Sequence, residues 1–145
     1  MNVLIAYDAS DGAKEALKFA MKLKCAVDKY YIVYVIPPIG GISASYEPYI
    51  PASVYRAQDK TAGEILRKAK RVVDKENVQY QIMKMNTSGT PIAKVILDTA
   101  EEQDVDLIVS GTRKLHAFTK LVLGSVSSVI VAHAEIPVAV VPPKP

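Results

Sequence analysis

Ser110-Gly111-Thr112 and Gly124-Ser125 are two small-residue corners, and nine residues, Leu115 to Leu123, lie between Lys114 and the second of them. Arg113, Lys114, His116 and Lys120 make the segment between the corners cationic. Glycine has no Cβ, so a backbone N–H there can come close to a ligand. A helix that begins at Gly124-Ser125 adds unpaired N–H groups and a partial positive charge, which suit phosphate. The Ser125 hydroxyl can add another hydrogen bond. Together these features suggest a phosphate cradle. The glycines alone are a weak signal, because Gly-Ser commonly caps helices. Neither GxxxxGK[ST] nor GxGxxG occurs, so a nucleotide would have to be held in some other way.

The elements that position these corners follow from hydrophobic patterning. Residues 3–7, 30–36, 105–110 and 136–141 are short, continuous apolar runs that fit strands buried on both faces. In 78–83, Val78, Tyr80 and Ile82 alternate with Gln79 and Gln81, as in a strand near an edge. Ala13, Ala16, Leu17, Ala20 and Met21 form a helical stripe, with Ser10 or Asp11 as its cap. The spacing of Ala62, Ile65, Leu66, Ala69, Val72 and Val73 predicts a helix over 55–76. Thr90-Pro91 reads as the cap and first position of a third helix, carrying Ile92, Val95, Ile96 and Ala100. A last helix starts near Ser125 and carries Val126, Val129 and Ile130.

Strict β-α alternation predicts an α/β fold: a single open five-stranded parallel sheet with helices on both faces. Right-handed crossovers require the strand order to reverse before the second face can be covered. The fourth strand then lies beside the first, in the order 3-2-1-4-5. Ligands bind at the carboxyl ends of those two strands. Here these ends are Asp8-Ala9-Ser10 and Ser110-Gly111-Thr112. Asp8 can serve a ligand, cap the next helix, or do both. Residues 37–54 form a long Pro-, Gly-, Ser- and Tyr-containing loop, either a lid or partner surface or a plain connection.

The 145 residues suit one domain, 1–145, and half of them are hydrophobic, enough for a core. The net charge of +3 is mild, and Lys14, Lys18 and Lys22 recur on one helix face that water can solvate. With no basic-aromatic interleaving or zinc spacing, no nucleic-acid partner is expected. No run reaches the roughly 18–20 apolar residues of a membrane span. The start, MNVLIAYDAS, lacks a basic region and a cleavage pattern. A single cysteine cannot pair internally. These features predict a soluble, cytoplasmic protein. Cys25, Met83 and Met85 read as packing residues, His116 as an exposed loop residue, and His133 as a helix-end residue favoured by the dipole.

Over its whole length the chain resembles the universal stress protein family. The resemblance rests on VLIAYDASDGAKEALKFA at the start, VYVIP at 33–37, VDLIVSGTRK at 105–114 and LGSVSSVIVAHAEIPVAVV at 123–141. The nucleotide-binding branch of that family has a motif of glycine, two residues, glycine, nine residues, then glycine with serine or threonine. Gly111, Lys114 and Gly124-Ser125 keep the spacing, with lysine replacing the middle glycine. The resemblance implies an adenine nucleotide alpha hydrolase-like domain that binds ATP, with magnesium arriving on the nucleotide, and forms a homodimer through the last strand around Val138 to Val141. By position, it implies Asp8 near the ribose or adenine and the Val35 backbone at adenine. Gly111, Gly124, Ser125 and Val126 would hold ribose and phosphates, with Arg113 and Lys114 alongside. Another branch lacks the glycine motif and is thought not to bind ATP, so Lys114 decides between two readings. A left-handed lysine would cost roughly 1–2 kcal/mol, against about 1.5–3 kcal/mol from a charge-assisted hydrogen bond to phosphate. Strain alone would therefore not abolish binding.

Three functions follow. The first is an ATP-binding regulatory or stress-response homodimer read by a protein partner. The second is a slow ATPase or phosphotransferase, for which Asp8 and His116 are the groups to test as a base. The third is a nucleotide-free dimeric interaction module with its site closed by Lys114.

Overall fold

The computed structural model describes residues 1–39, 50–114 and 121–144. Its elements are β1 (Asn2–Ala6), α1 (Asp11–Lys22), a 3-10 turn (Lys24–Ala26), β2 (Lys29–Ile36), α2 (Ala52–Val73), β3 (Tyr80–Asn86), α3 (Ile92–Glu102), β4 (Leu107–Gly111), β5 (Arg113–Lys114), β6 (Leu121–Val122), α4 (Ser125–His133) and β7 (Val138–Val141). The main sheet runs β3-β2-β1-β4-β7, with every neighbouring pair parallel. Counting the five sheet strands alone, this is the expected 3-2-1-4-5.

Alternation along each strand divides the core into two layers. Val3, Ile5, Tyr30 and Ile32 pack with the stripes of α1 and α2, including Leu17, Ala20, Leu66 and Ala69. Leu4, Tyr31, Val33 and Ile108 pack with α3 and α4 through Ile96, Ala100 and Ile130. The reversal between β1 and β4 follows from this division: α1 and α2 fill one face, so α3 must cross to the other. Met83 and Met85 are partly buried against the second layer.

Several boundaries differ from the sequence expectation. α2 begins and ends three residues earlier than 55–76, starting after Pro51 at ψ 144°. It stops where Asp74 is engaged by Lys70 and Tyr80, shortly before Asn77 takes a left-handed φ of 52°. Residues 52–54 of the expected loop are therefore helical, and 40–49 lie outside the described residues. β3 runs over 80–86 rather than 78–83, and it is an edge strand as its alternation suggested. Thr90 does not cap α3. Pro91 holds the cap position at ψ 143°, and Thr90 N–H donates to Thr87 O at 2.7 Å. Cys25 is exposed, not buried, because it falls on the 3-10 turn beyond the α1 stripe.

Candidate functional site

The carboxyl ends of β1 and β4 border a cleft of about 390 Å³. β1 continues through Tyr7, whose N–H donates to Val33 O at 2.9 Å, and delivers Asp8 to the rim. Ala9 then turns the chain with a left-handed φ of 62°. The Asp8 carboxylate braces this corner: Oδ1 accepts the Ser10 N–H at 2.9 Å. Ser10 caps α1, its Oγ accepting the Ala13 N–H at 3.2 Å. The two expected roles of this segment are thus split, with Ser10 capping and Asp8 holding the turn. Asp8 Oδ2 lies 4.0 Å from Arg113 Nη2 across the cleft mouth, with both side chains substantially exposed.

At the end of β4, Gly111 and Gly12 abut. A Cβ on Gly111 would overlap the backbone of Gly12 and Ala13, and one on Gly12 would overlap Thr112 O. Gly111 therefore serves close packing of α1 against β4, in addition to lining the cleft. Gly124 differs, since a Cβ there meets nothing within 4 Å. Neither glycine has a positive φ. The cradle reading of Gly124 rests on open space beside it, not on backbone strain.

β5 pairs antiparallel with β6, Arg113 opposite Val122 and Lys114 opposite Leu121. This short ladder sets Val122, two residues before Gly124, opposite Arg113, two residues after Gly111. Lys114 has strand backbone and is not among the residues with positive φ, so the left-handed strain weighed above does not arise. His116 and Lys120 lie outside the described residues. Ser125 is the first residue of α4 rather than its cap; Gly124 holds the cap position at ψ 163°, and no side chain caps this end. The first-turn N–H groups of α4 are left for whatever enters the cleft.

Ser127, one turn in, was not singled out by its sequence context. It is buried, and its Oγ donates to Gly111 O at 2.8 Å and lies 2.9 Å from Ser110 Oγ. This pair bolts the start of α4 to the end of β4. Gly12 was missed as well. Its signal was a glycine in the first turn of a helix, where nothing local requires one. Thr112 Oγ1 is buried beside the cleft without a hydrogen-bond partner among the described residues.

The cleft has two chemically distinct sides. Ala6, Val33, Val35, Ile92, Ile96 and Val126 make an apolar wall from the second core layer. Asp8, Ser10, Ser110, Arg113, Gly124 and Ser125 make the polar side. Tyr7 and Tyr34 also border it; burial, and then the Asp8 charge, hold their phenols above the ordinary range, so both remain neutral donors at physiological pH. Asp8, Val35, Gly111, Arg113, Gly124, Ser125 and Val126 all line this one cleft, and the Lys114 backbone adjoins it through β5. Among the described residues no group of His, Cys, Asp or Glu is arranged to hold a metal ion, and no helix is long and apolar enough to cross a membrane.

A family model for the universal stress protein family matches residues 1–142. A Staphylococcus aureus chain carrying the universal stress protein name is 35% identical over 141 residues, spanning 97% of this chain and 82% of that one. The solved structure of a universal stress protein from Archaeoglobus fulgidus superposes with a TM-score of 0.76 at 28% identity, covering 97% of this chain and 98% of its own. A second Archaeoglobus fulgidus structure, solved in complex with dAMP, shares the fold at 24% identity and TM-score 0.69, with 97% of each chain covered. With a family match spanning nearly the whole sequence and the same fold in solved relatives, the chain belongs to the universal stress protein family.

Proposed function

We propose that the cleft binds an adenine nucleotide, ATP in the first instance, and that the protein is a cytoplasmic regulatory homodimer whose nucleotide state a partner reads. The observation that carries this reading is the two-sided cleft at the β1/β4 reversal. An apolar wall of Val33, Val35, Ile92 and Ile96 suits a base, and the uncapped first turn of α4 with open space at Gly124 suits phosphate. In this reading Asp8 faces the ribose, the Val35 backbone meets the adenine edge, and Gly111, Gly124, Ser125 and Val126 hold ribose and phosphates. Arg113 is near enough to exchange Asp8 for a phosphate, and Lys114 contributes its N–H and ammonium. Magnesium would arrive with the nucleotide. That a relative of the same fold holds dAMP supports the adenine class.

Titration calorimetry of ATP and Mg²⁺ into nucleotide-stripped protein tests the proposal. Micromolar or tighter binding is expected, and Gly124→Val should weaken it without unfolding the domain, because the valine fills the open space beside α4. Unchanged affinity in that variant removes the assignment of this corner. Binding by Lys114→Gly alone would mean that the lysine shuts the site and that the protein works through its surfaces. Turnover that disappears in Asp8→Asn would turn the reading toward a slow ATPase or phosphotransferase.

The homodimer proposal rests on β7. This strand pairs with β4 on one side only, and all four of its residues, Val138–Val141, are half-buried. An apolar edge of this kind is ordinarily covered. Light scattering at micromolar concentration should give twice the 15.8 kDa chain mass, and a monomer there would count against pairing through β7.

A further inference from the structure

The outer face of α2 is a strip of positive charge. The helix turns Ala62, Leu66, Ala69 and Val73 into the core. On its other side Arg56, Lys60, Arg67, Lys68 and Arg71 are exposed, and Lys75 continues the row just past the helix end. At 3.6 residues per turn the five helical positions fall within an arc of about 120°, opposite the buried stripe. One free carboxylate, Glu64, lies inside the arc; Asp74, at its edge, is engaged by Lys70 and Tyr80. None of the six cations has a carboxylate partner among the described residues. In α1 and α3 three of the four lysines are paired, as Lys14–Asp11, Lys18–Glu15 and Lys94–Asp98, with Lys22 the exception. Like charges one turn apart, such as Arg67 and Arg71, repel and weaken a helix. A merely solvated face has no reason to carry such an excess.

We propose that this face docks an acidic surface of another protein, a row of carboxylates running the length of the 22-residue helix, about 33 Å, as on one face of a Glu-rich helix. Charge complementarity carries the assignment, and the detail of the strip favours protein over the other polyanions. Glu64 at its middle would repel a phosphate lattice but matches a partner with one cation among its carboxylates. The arc holds no aromatic side chain on which bases could stack. It also holds no large apolar side chain that could enter a lipid surface.

The test is fluorescence anisotropy of a labelled synthetic Glu/Ala-rich helical peptide at low salt, against the full chain and two triple variants. Lys60→Gln with Arg67→Gln and Arg71→Gln neutralises the strip. Lys14→Gln with Lys18→Gln and Lys22→Gln removes the same charge from α1. Salt-sensitive binding is expected, weakened about tenfold by the first triple and less than about twofold by the second. All six substituted residues are exposed helix positions, Lys22 being the last residue of α1, so both variants should keep the wild-type circular dichroism and ATP titration. Equal loss in both triples would reduce the effect to net charge and overturn the proposal. Absence of peptide binding at low salt would also overturn it. So would a DNA duplex of similar length that binds the strip more tightly than the peptide.

Discussion

A Cβ on Gly111 would overlap the Gly12 backbone, whereas one on Gly124 would stand in open space, so the two glycines of the motif do different physical work. Gly111 holds β4 against the first turn of α1, and Gly124 leaves room at the start of α4. Alanine separates these roles. Gly111→Ala should destabilise the fold by about 1–3 kcal/mol, the ordinary cost of overpacking a tight contact. Gly124→Ala should cost under about 1 kcal/mol, because it changes only a cap position with free space beside it. Urea midpoints of the two variants check this, and equal midpoints would mean that α1 and β4 part easily. Both glycines were visible in the sequence together with their spacing. The reason for Gly111 was not, because its partner Gly12 is distant in sequence and the overlap exists only once α1 and β4 are packed. Lys114 shows the same limit. The reading that it stands where the family motif has glycine raised the matter of left-handed strain, and strand pairing with Leu121 removes that strain in a way no local pattern could show.

At the scale of elements, the cleft depends on how α4 starts relative to β4, and one hydroxyl fixes that relation. Ser127 Oγ donates to Gly111 O at 2.8 Å and meets Ser110 Oγ at 2.9 Å, both serines being buried. Ser127→Ala leaves the Gly111 carbonyl and the Ser110 hydroxyl short of a partner, at a cost of about 1–2 kcal/mol. Because the released contact joins the two walls of the cleft, nucleotide affinity should fall as well, while Ser127→Thr, which keeps the hydroxyl, should restore part of it. An alanine variant that loses stability but binds ATP with unchanged affinity would show that the bolt does not position the site. The helices and long strands were legible because each repeats its pattern over several turns or pleats, as the α1 stripe does from Ala13 to Met21. β5 and β6 have two residues each, too few to show any period. The start of α2 was misplaced because its first residues, Ala52 to Tyr55, are all exposed and carry no apolar stripe.

The whole molecule was legible in outline because handedness leaves few ways to wind five strands alternating with four helices. That outline put the cleft at the β1/β4 reversal before any side chain was placed. The same burial that builds the two-layer core makes stability depend on alkaline pH. Tyr30 is wholly buried and donates its hydroxyl to Ala20 O at 2.8 Å. Burial, with Glu76 and Cys25 adding to it, pushes its phenol from 10.0 up to about 12. Below pH 10 the phenol is protonated in both folded and unfolded chains, and its contribution is constant. Between pH 10 and about 12 the unfolded chain releases a proton that the folded one keeps, so stability falls as pH rises, by about 2–3 kcal/mol for a shift of this size. Tyr7 and Tyr34, also raised, act in the same direction. Tyr30→Phe removes the largest of these titrations. At neutral pH it should cost about 1 kcal/mol, because the Ala20 carbonyl loses a donor. The variant's stability should then decline less steeply above pH 10, and the two curves should cross before pH 12. Urea midpoints at intervals between pH 7 and 12 measure both slopes. Parallel curves would mean that Tyr30 ionises as readily in the folded protein as in water, and that the α1–β2 layer opens to solvent well below the global unfolding transition.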